Sequence, residues 1–193
     1  VTLLTIVVLT SCALRADEAN PRLPRLTITL DGEDIQYRYD KGIAEARNGV
    51  RIHVHMDGKP DAIIHAQQAT YSVESGQVTA RETVTVGTAQ GVLAGDNLTL
   101  SPQADEFVLH QAQAGIDTTP DQPQSLLAYA FGEEIGRTGE VVYILRGRIT
   151  TSDRPNPEYT LEATRLEYYP SRSRFKVKGA DLTLHGVRLQ LIP

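Results

Sequence analysis

The sequence predicts an all-β protein of roughly twelve or more short strands, and three observations carry that prediction. From Leu26 onward, apolar and polar residues alternate with a period of two, the pattern of strands with one buried face. Turn-forming residues interrupt the alternation at short spacing, at Asp31-Gly32, Asp40-Lys41-Gly42, Asp57-Gly58-Lys59-Pro60 and Glu74-Ser75-Gly76. The stretch Tyr37 to Ile52, YRYDKGIAEARNGVRI, returns as Tyr71 to Val86, YSVESGQVTARETVTV. Tyr37/Tyr71, Gly42/Gly76, Ala46/Ala80, Arg47/Arg81 and Val50/Val84 are identical between the copies. A repeated strand–turn–strand unit cannot bury its apolar side alone. It stacks on its neighbours, which makes an elongated β-structure with a continuous interior.

The N-terminus bears on compartment. Val1 to Ser11, VTLLTIVVLTS, is uncharged and nearly all apolar or Thr. It is too short to span a bilayer, which takes about 20 residues, and has the length of a signal-peptide apolar region. Leu9-Thr10-Ser11-Cys12 resembles a bacterial lipobox, which makes Cys12 the candidate lipidation site. Ser11-Cys12-Ala13 equally offers small residues for ordinary signal cleavage. Both readings send the chain out of the cytoplasm. Cys12 is the one cysteine, so an intrachain disulfide is excluded. Residues 1–16 are therefore read as a signal peptide or lipoprotein signal remnant, 17–29 as a linker and first strand, and 30–193 as one β domain.

Each strand follows from local pattern. Leu26, Ile28 and Leu30 alternate with Thr27, Thr29 and Asp31; Ile35, Tyr37 and Tyr39 form the next run. Ile43 leads to Val50, Ile52 and Val54. Ala62 to Val73 and Gln77 to Val86 flank Glu74-Ser75-Gly76, where the Gly suits a hairpin turn of positive φ, as Gly42 does in the first copy. Gly87 to Leu100 contains Gly91 and Gly95 as expected bends or bulges. Phe107 and Leu109 open a strand that runs to Ile116, and Asp117 to Ser125, DTTPDQPQS, is a loop. Ser125 to Ile135 reads equally as a helix or a strand. Val141 to Ile149, Tyr159 to Tyr168, Phe175 to Leu184 and Val187 to Ile192 complete the series. Ala46 and Ala80 are small enough to let layers approach or to leave room inside.

The net charge of −5 over 193 residues argues against nucleic acid as a partner. Arg165, Arg172, Arg174, Lys176 and Lys178 alternate along strand-like sequence and read as a solvated face. His53 and His55 share one strand face, yet no cysteine or evident third ligand joins them, so no metal site is assigned. Acidic residues sit mainly at turns. Nucleophile elbows, phosphate loops and HExxH helices are missing from the sequence, so no catalytic residue and no cofactor is assigned and the chain is read as a non-enzyme.

The repeated Tyr-x-x-x-x-Gly-x-x-x-Ala-x-x-x-Val units at Tyr37 and Tyr71, with Ala94-Gly95-Asp96-Asn97-Leu98-Thr99-Leu100, resemble the OstA-like family of lipopolysaccharide transport proteins. The C-terminal third adds Tyr143-Ile144-Leu145, Gly147 to Thr151, Pro157 to Ala163 and Ala180 to Val187. It looks closest to the periplasmic N-terminal region of the family's outer-membrane assembly protein, with the family's periplasmic bridge protein as the related member. Ser152 stands where that region carries a Cys, and Arg188 where it carries a Pro.

The resemblance covers roughly residues 30 to 193. It implies an elongated β-jellyroll of repeated antiparallel strands, open along one side, whose apolar slot binds lipopolysaccharide or a related multi-acyl lipid and conducts it across the periplasm toward the outer membrane. It further implies end-to-end docking with other OstA-like domains, contact with outer-membrane assembly machinery, and a periplasmic, outer-membrane-associated or lipid-anchored location. Candidate slot residues are Ile52, Val54, Val84, Val86, Leu98, Leu100, Phe107, Leu109, Leu182 and Leu184; which alternate set faces inward stays open in the sequence. Two other readings stand beside it. One is a structural β-solenoid or sandwich module of the envelope without a lipid ligand. The other is an extracytoplasmic enzyme on a β-solenoid, which would need clustered carboxylates.

Overall fold

A computed structural model describes residues 2–8, 26–89, 91–117, 127–153 and 157–190. Its strands are β1 (Thr2–Val8), β2 (Leu26–Gly32), β3 (Asp34–Arg38), β4 (Ile43–Met56), β5 (Ala62–Ser72), β6 (Gln77–Thr88), β7 (Gly91–Ser101), β8 (Glu106–Asp117), β9 (Leu127–Thr138), β10 (Val141–Thr150), β11 (Tyr159–Tyr169), β12 (Arg174–Leu184) and β13 (Val187–Gln190). One-turn 3-10 segments at Pro102–Ala104 and Pro170–Arg172 shape two of the reversals. Among the described residues the fold is therefore all-β, as the alternation predicts. The ambiguous window before Ile135 resolves as strand β9, in which Ile135 pairs with Leu109 on one side and Ile144 on the other. Ser125 itself and the loop before it lie outside the described residues, as does Cys12.

All thirteen strands belong to one antiparallel sheet in the order β1-β2-β4-β5-β6-β7-β8-β9-β10-β11-β12-β13. Neighbours in sequence are thus neighbours in space, the simplest way to stack a repeated hairpin. The exception is β3. β2 pairs with Arg51–Met56 of β4 and β3 with Ile43–Arg47, so the two act as one strand broken at Glu33. The hairpin glycines take the positive φ that the turn chemistry calls for, 58° at Gly42 and 63° at Gly76.

A line of left-handed residues crosses the sheet. On every second strand from β4 to β12 the backbone turns left-handed near mid-strand, at Asn48 and Gly49, at Glu82 and Thr83, at Gln111, at Arg146 and at Gly179. Pairing registers slip at the same places, between Arg47 and Val50 and between Arg81 and Val84. Such bulges bend the strand that carries them. Aligned across the sheet, they fold it lengthwise, so the two halves of each long strand face one another over an apolar interior. Ala46 and Val50, from opposite sides of one bend, both lie under Gly32.

One contiguous core results, running from Leu26 to Leu166. Tyr71, Ile28, Leu30, Ile52, Ile64 and Leu109 are its largest fully buried side chains. Ala46, Ala69 and Ala80 stand in register on three adjoining strands and are all buried, which settles the role of the repeated alanines as close packing.

Candidate lipid slot

Strand register lines the interior with rows of cross-strand partners. One row runs Leu30, Ile52, Ile64, Val86, Leu93, Ala114, Ala130, Ile149, Leu161, Leu182, Leu189 without a polar residue. A second, beyond the bend, runs Ile35, Ala46, Ala69, Ala80, Leu98, Leu109, Ile135, Ile144, Leu166, Val177. A third runs Tyr37, Ala44, Tyr71, Val78, Leu100, Phe107, Arg137, Val142, Tyr168, Phe175, interrupted by one charge at Arg137. At about 4.8 Å between strands the rows extend roughly 50 Å along the sheet.

The interior is packed at the β4–β6 end and opens toward the middle. A cavity of about 310 Å³ lies between the β4–β5 and β6–β7 ends on one side and the β7–β8 reversal on the other. Its apolar wall includes Val54, Met56, Leu93, Leu100, Phe107, Ile135, Val142 and Ile144. Lys59, Asp105, Glu106 and Arg137 stand at its polar margin. Past the cavity, the inner faces of β12 and β13 are uncovered: Phe175 is 61% exposed, Val187 62% and Leu189 44%.

The ten residues singled out in the sequence fall into four groups. Ile52, Val84, Leu98 and Leu109 are fully buried in the packed core of β4 to β8. Val54, Leu100 and Phe107 line the cavity, and Val86 and Leu182 stand in the first row. Leu184 is 39% exposed at the uncovered end, against Tyr159. Leu93, Ile135, Val142 and Ile144 were not singled out. Ile135, between Glu134 and Gly136, could have been found by the period-two signal. Leu93, Val142 and Ile144 stand in the runs Val92-Leu93-Ala94 and Val141-Val142-Tyr143-Ile144-Leu145, where both faces carry apolar or aromatic residues and the period does not select a side.

On the outer face, His53 Nε2 and His55 Nδ1 lie 3.0 and 2.6 Å from the two oxygens of Asp61. This hydrogen bonding raises the His55 pKa and holds the Asp61 carboxyl below its usual range. The pair of histidines thus clasps the β4–β5 turn. Among the described residues, no three His, Cys, Asp or Glu side chains gather to hold a metal. Two of the basic residues near β12 meet Glu167, which accepts from Arg165 at 2.6 Å and from the Tyr169 hydroxyl at 2.8 Å, with Lys176 Nζ 3.9 Å away. A shallow polar depression between Phe131, Arg146, Arg148, Glu162 and Asp181 occupies the outer face farther along, with the Arg148 guanidinium 4.7 Å from the Phe131 ring centre.

A bent, single-sheet interior of this kind has a solved counterpart. The fold is that of an LptA-like β-jellyroll. One solved structure it resembles is LptH from Pseudomonas aeruginosa, described as the LptA-homologous periplasmic component of the conserved lipopolysaccharide transport device. The two superpose with a TM-score of 0.50 at 17% identity, over 60% of this chain and 80% of LptH. No protein-family model and no curated protein sequence matches the chain. The likeness to LptH is therefore one of architecture, reached by a sequence that shares little with it.

Proposed function

We propose that this protein binds lipopolysaccharide, or a closely related multi-acyl lipid, by its acyl chains in the apolar slot and passes it along the periplasm toward the outer membrane. The observation that carries the reading is the first inner row, apolar from Leu30 to Leu189, leading through the cavity to an uncovered end. A row that stays apolar past the point where the sheet ceases to bury it suits a mobile alkyl ligand better than a closed core. Each buried methylene contributes about 0.8 kcal/mol, enough for several chains to hold a lipid whose sugars remain in water. The fold shared with LptH supports the same role.

The uncovered β13 edge and apolar inner face of β12 would extend into a second OstA-like domain by strand addition. The other edge is covered by β1, whose register with β2 runs from Thr2 opposite Gly32 to Val8 opposite Leu26. Removal of residues 1–16 as a signal, with or without lipidation of Cys12, would free β2 as the second docking edge. In this reading the protein is a non-enzymatic bridge, either stand-alone or attached to outer-membrane assembly machinery.

The test is mass spectrometry of lipid co-purifying with the protein exported to the periplasm, alongside Leu100→Asp and Val86→Asp. Stoichiometric multi-acyl lipid on the wild type, lost from folded variants, is the expected result. A folded wild type that is lipid-free and refuses added lipid would instead mark a structural module.

A further inference from the structure

Lys59 and Asp105 come from opposite long edges of the folded sheet. Lys59 is in the reversal between β4 and β5, and Asp105 follows the 3-10 turn between β7 and β8, where its backbone is left-handed with φ of 56°. Reversals alternate between the two edges of an antiparallel sheet, so these two lie at far ends of their strands. They meet only because the line of bends folds the edges together. Lys59 Nζ lies 2.8 Å from Asp105 Oδ1, and an Arg137 terminal nitrogen lies 2.9 Å from Asp105 Oδ2. All three line the cavity, with Leu100, Phe107 and Val142 beneath.

We propose that Lys59, Asp105 and Arg137 form a charged latch across the lateral opening of the slot, and that the anionic headgroup of an amphiphile opens it by replacing the Asp105 carboxylate between the two cations. The proposal rests on the lipid-slot reading and adds the headgroup class that the slot selects, a phosphate ester. Three features support it. Two cations share one carboxylate, so an anion that takes its place meets both of them at once. Arg137 is the one charged member of an otherwise apolar-to-aromatic inner row, placed where acyl chains would end and a headgroup begin. The ion pairs are one-third to two-fifths exposed, and exposed pairs are weak enough to exchange partners. A phosphate ester offers more acceptor oxygens than a carboxylate, and Arg binds it with the same charge-assisted, often bidentate geometry, so it can engage both cations together. Glu106, on the same wall, balances the second cation in the resting site and opposes any anion that does not engage both Lys59 and Arg137.

The test uses the full chain and a multi-acyl disaccharide lipid, with and without its phosphates, read by native mass spectrometry and by loading rate. Lys59→Gln with Arg137→Gln should weaken binding of the phosphorylated lipid about tenfold and leave the dephosphorylated lipid unaffected. Asp105→Asn should speed loading. Lys59→Cys with Asp105→Cys, in a Cys12→Ser background and joined by a short cleavable tether, should load slowly until the tether is cut. Millimolar inorganic phosphate should not displace lipid; displacement would make this a free-anion site and overturn the headgroup assignment. Equal binding of both lipids by wild type and by the Lys59/Arg137 variant, with no effect of the tether, overturns the latch while the slot stands. A wild type that takes up neither lipid overturns the slot and the latch together.

Discussion

Asn48 in β4 and Glu82 in β6 share a left-handed φ of 63° and occupy equivalent places in the two sequence copies. Asn tolerates that conformation; Glu, and above all the β-branched Thr83 at 57°, does not adopt it readily. The first copy carries Gly49 where the second carries Thr83. Thr83→Gly should therefore stabilise the fold by about 0.5–1 kcal/mol, the relief of strain being partly offset by glycine's unfolded-state entropy. Chemical denaturation measures it. A destabilised variant would show that the Thr83 side chain contributes more than its backbone costs.

Tyr71 is buried to 1% exposure, and its hydroxyl meets no hydrogen-bonding partner among the described residues. Burial also pushes its pKa up. Leaving a buried polar group unpaired costs about 1–3 kcal/mol, so Tyr71→Phe should match or exceed wild-type stability by about 1 kcal/mol. A marked loss of thermal stability in this variant would mean that the hydroxyl is paired in solution.

Gly95 does not take a left-handed backbone; it stands opposite the β6 bulge, paired with Val84, where it allows close approach of the strand on its other side. A Cβ there would lie 2.6 Å from the His110 carbonyl oxygen and 2.9 Å from Leu109 Cγ. The carbonyl belongs to the neighbouring strand and cannot swing away as a side chain would. Gly95→Ala is expected to cost about 1–3 kcal/mol, visible as a lower melting temperature. An unchanged melting temperature would show that β7 and β8 can separate at this point at no cost.

The clasp at the β4–β5 turn depends on pH from both sides. His55 is raised above the ordinary 6.5, first by its hydrogen bond to Asp61 and then by that carboxylate's charge, with Asp57 adding to it. Its contribution is complete below about pH 6.5 and fades as pH climbs through the raised value. Asp61 is lowered from 3.8, first by the bond from His55 and then by that from His53. Its contribution is complete above about pH 3.8 and fades as pH falls through the lowered value. The turn should thus be held best between these limits. NMR titration should find the His55 transition above 6.5 in wild type and nearer to it in Asp61→Asn; the same transition in both would remove Asp61 as the cause.

Much of this architecture could be read from residue order alone, because a strand's inward set is written in every second residue and a hairpin turn in its glycine. Gly42 and Gly76 announced their turns, while the Ala46/Ala80 identity left open whether layers approach or room remains inside, and burial of both decides for close approach. The bends at Gln111 and Arg146 were not readable, since neither residue type marks left-handed backbone and the repeat has faded there. The cavity margin was invisible for a different reason. Lys59 sits in a turn signal and Arg137 at a strand end, positions where charge is ordinary. Only folding along the bend line brings them to one carboxylate. The exposure of Leu184 likewise depends on how many strands follow it, which a local pattern does not encode.

The repeated hairpin also acts as a unit of length. Each one carries its own bend and its own members of all three inner rows, and each adds two strands, about 9.6 Å, along the sheet. Duplicating or deleting such a unit would change the reach of the slot in fixed steps while leaving its width and lining alone. A protein built this way could be lengthened or shortened by changing how many times one short segment is copied.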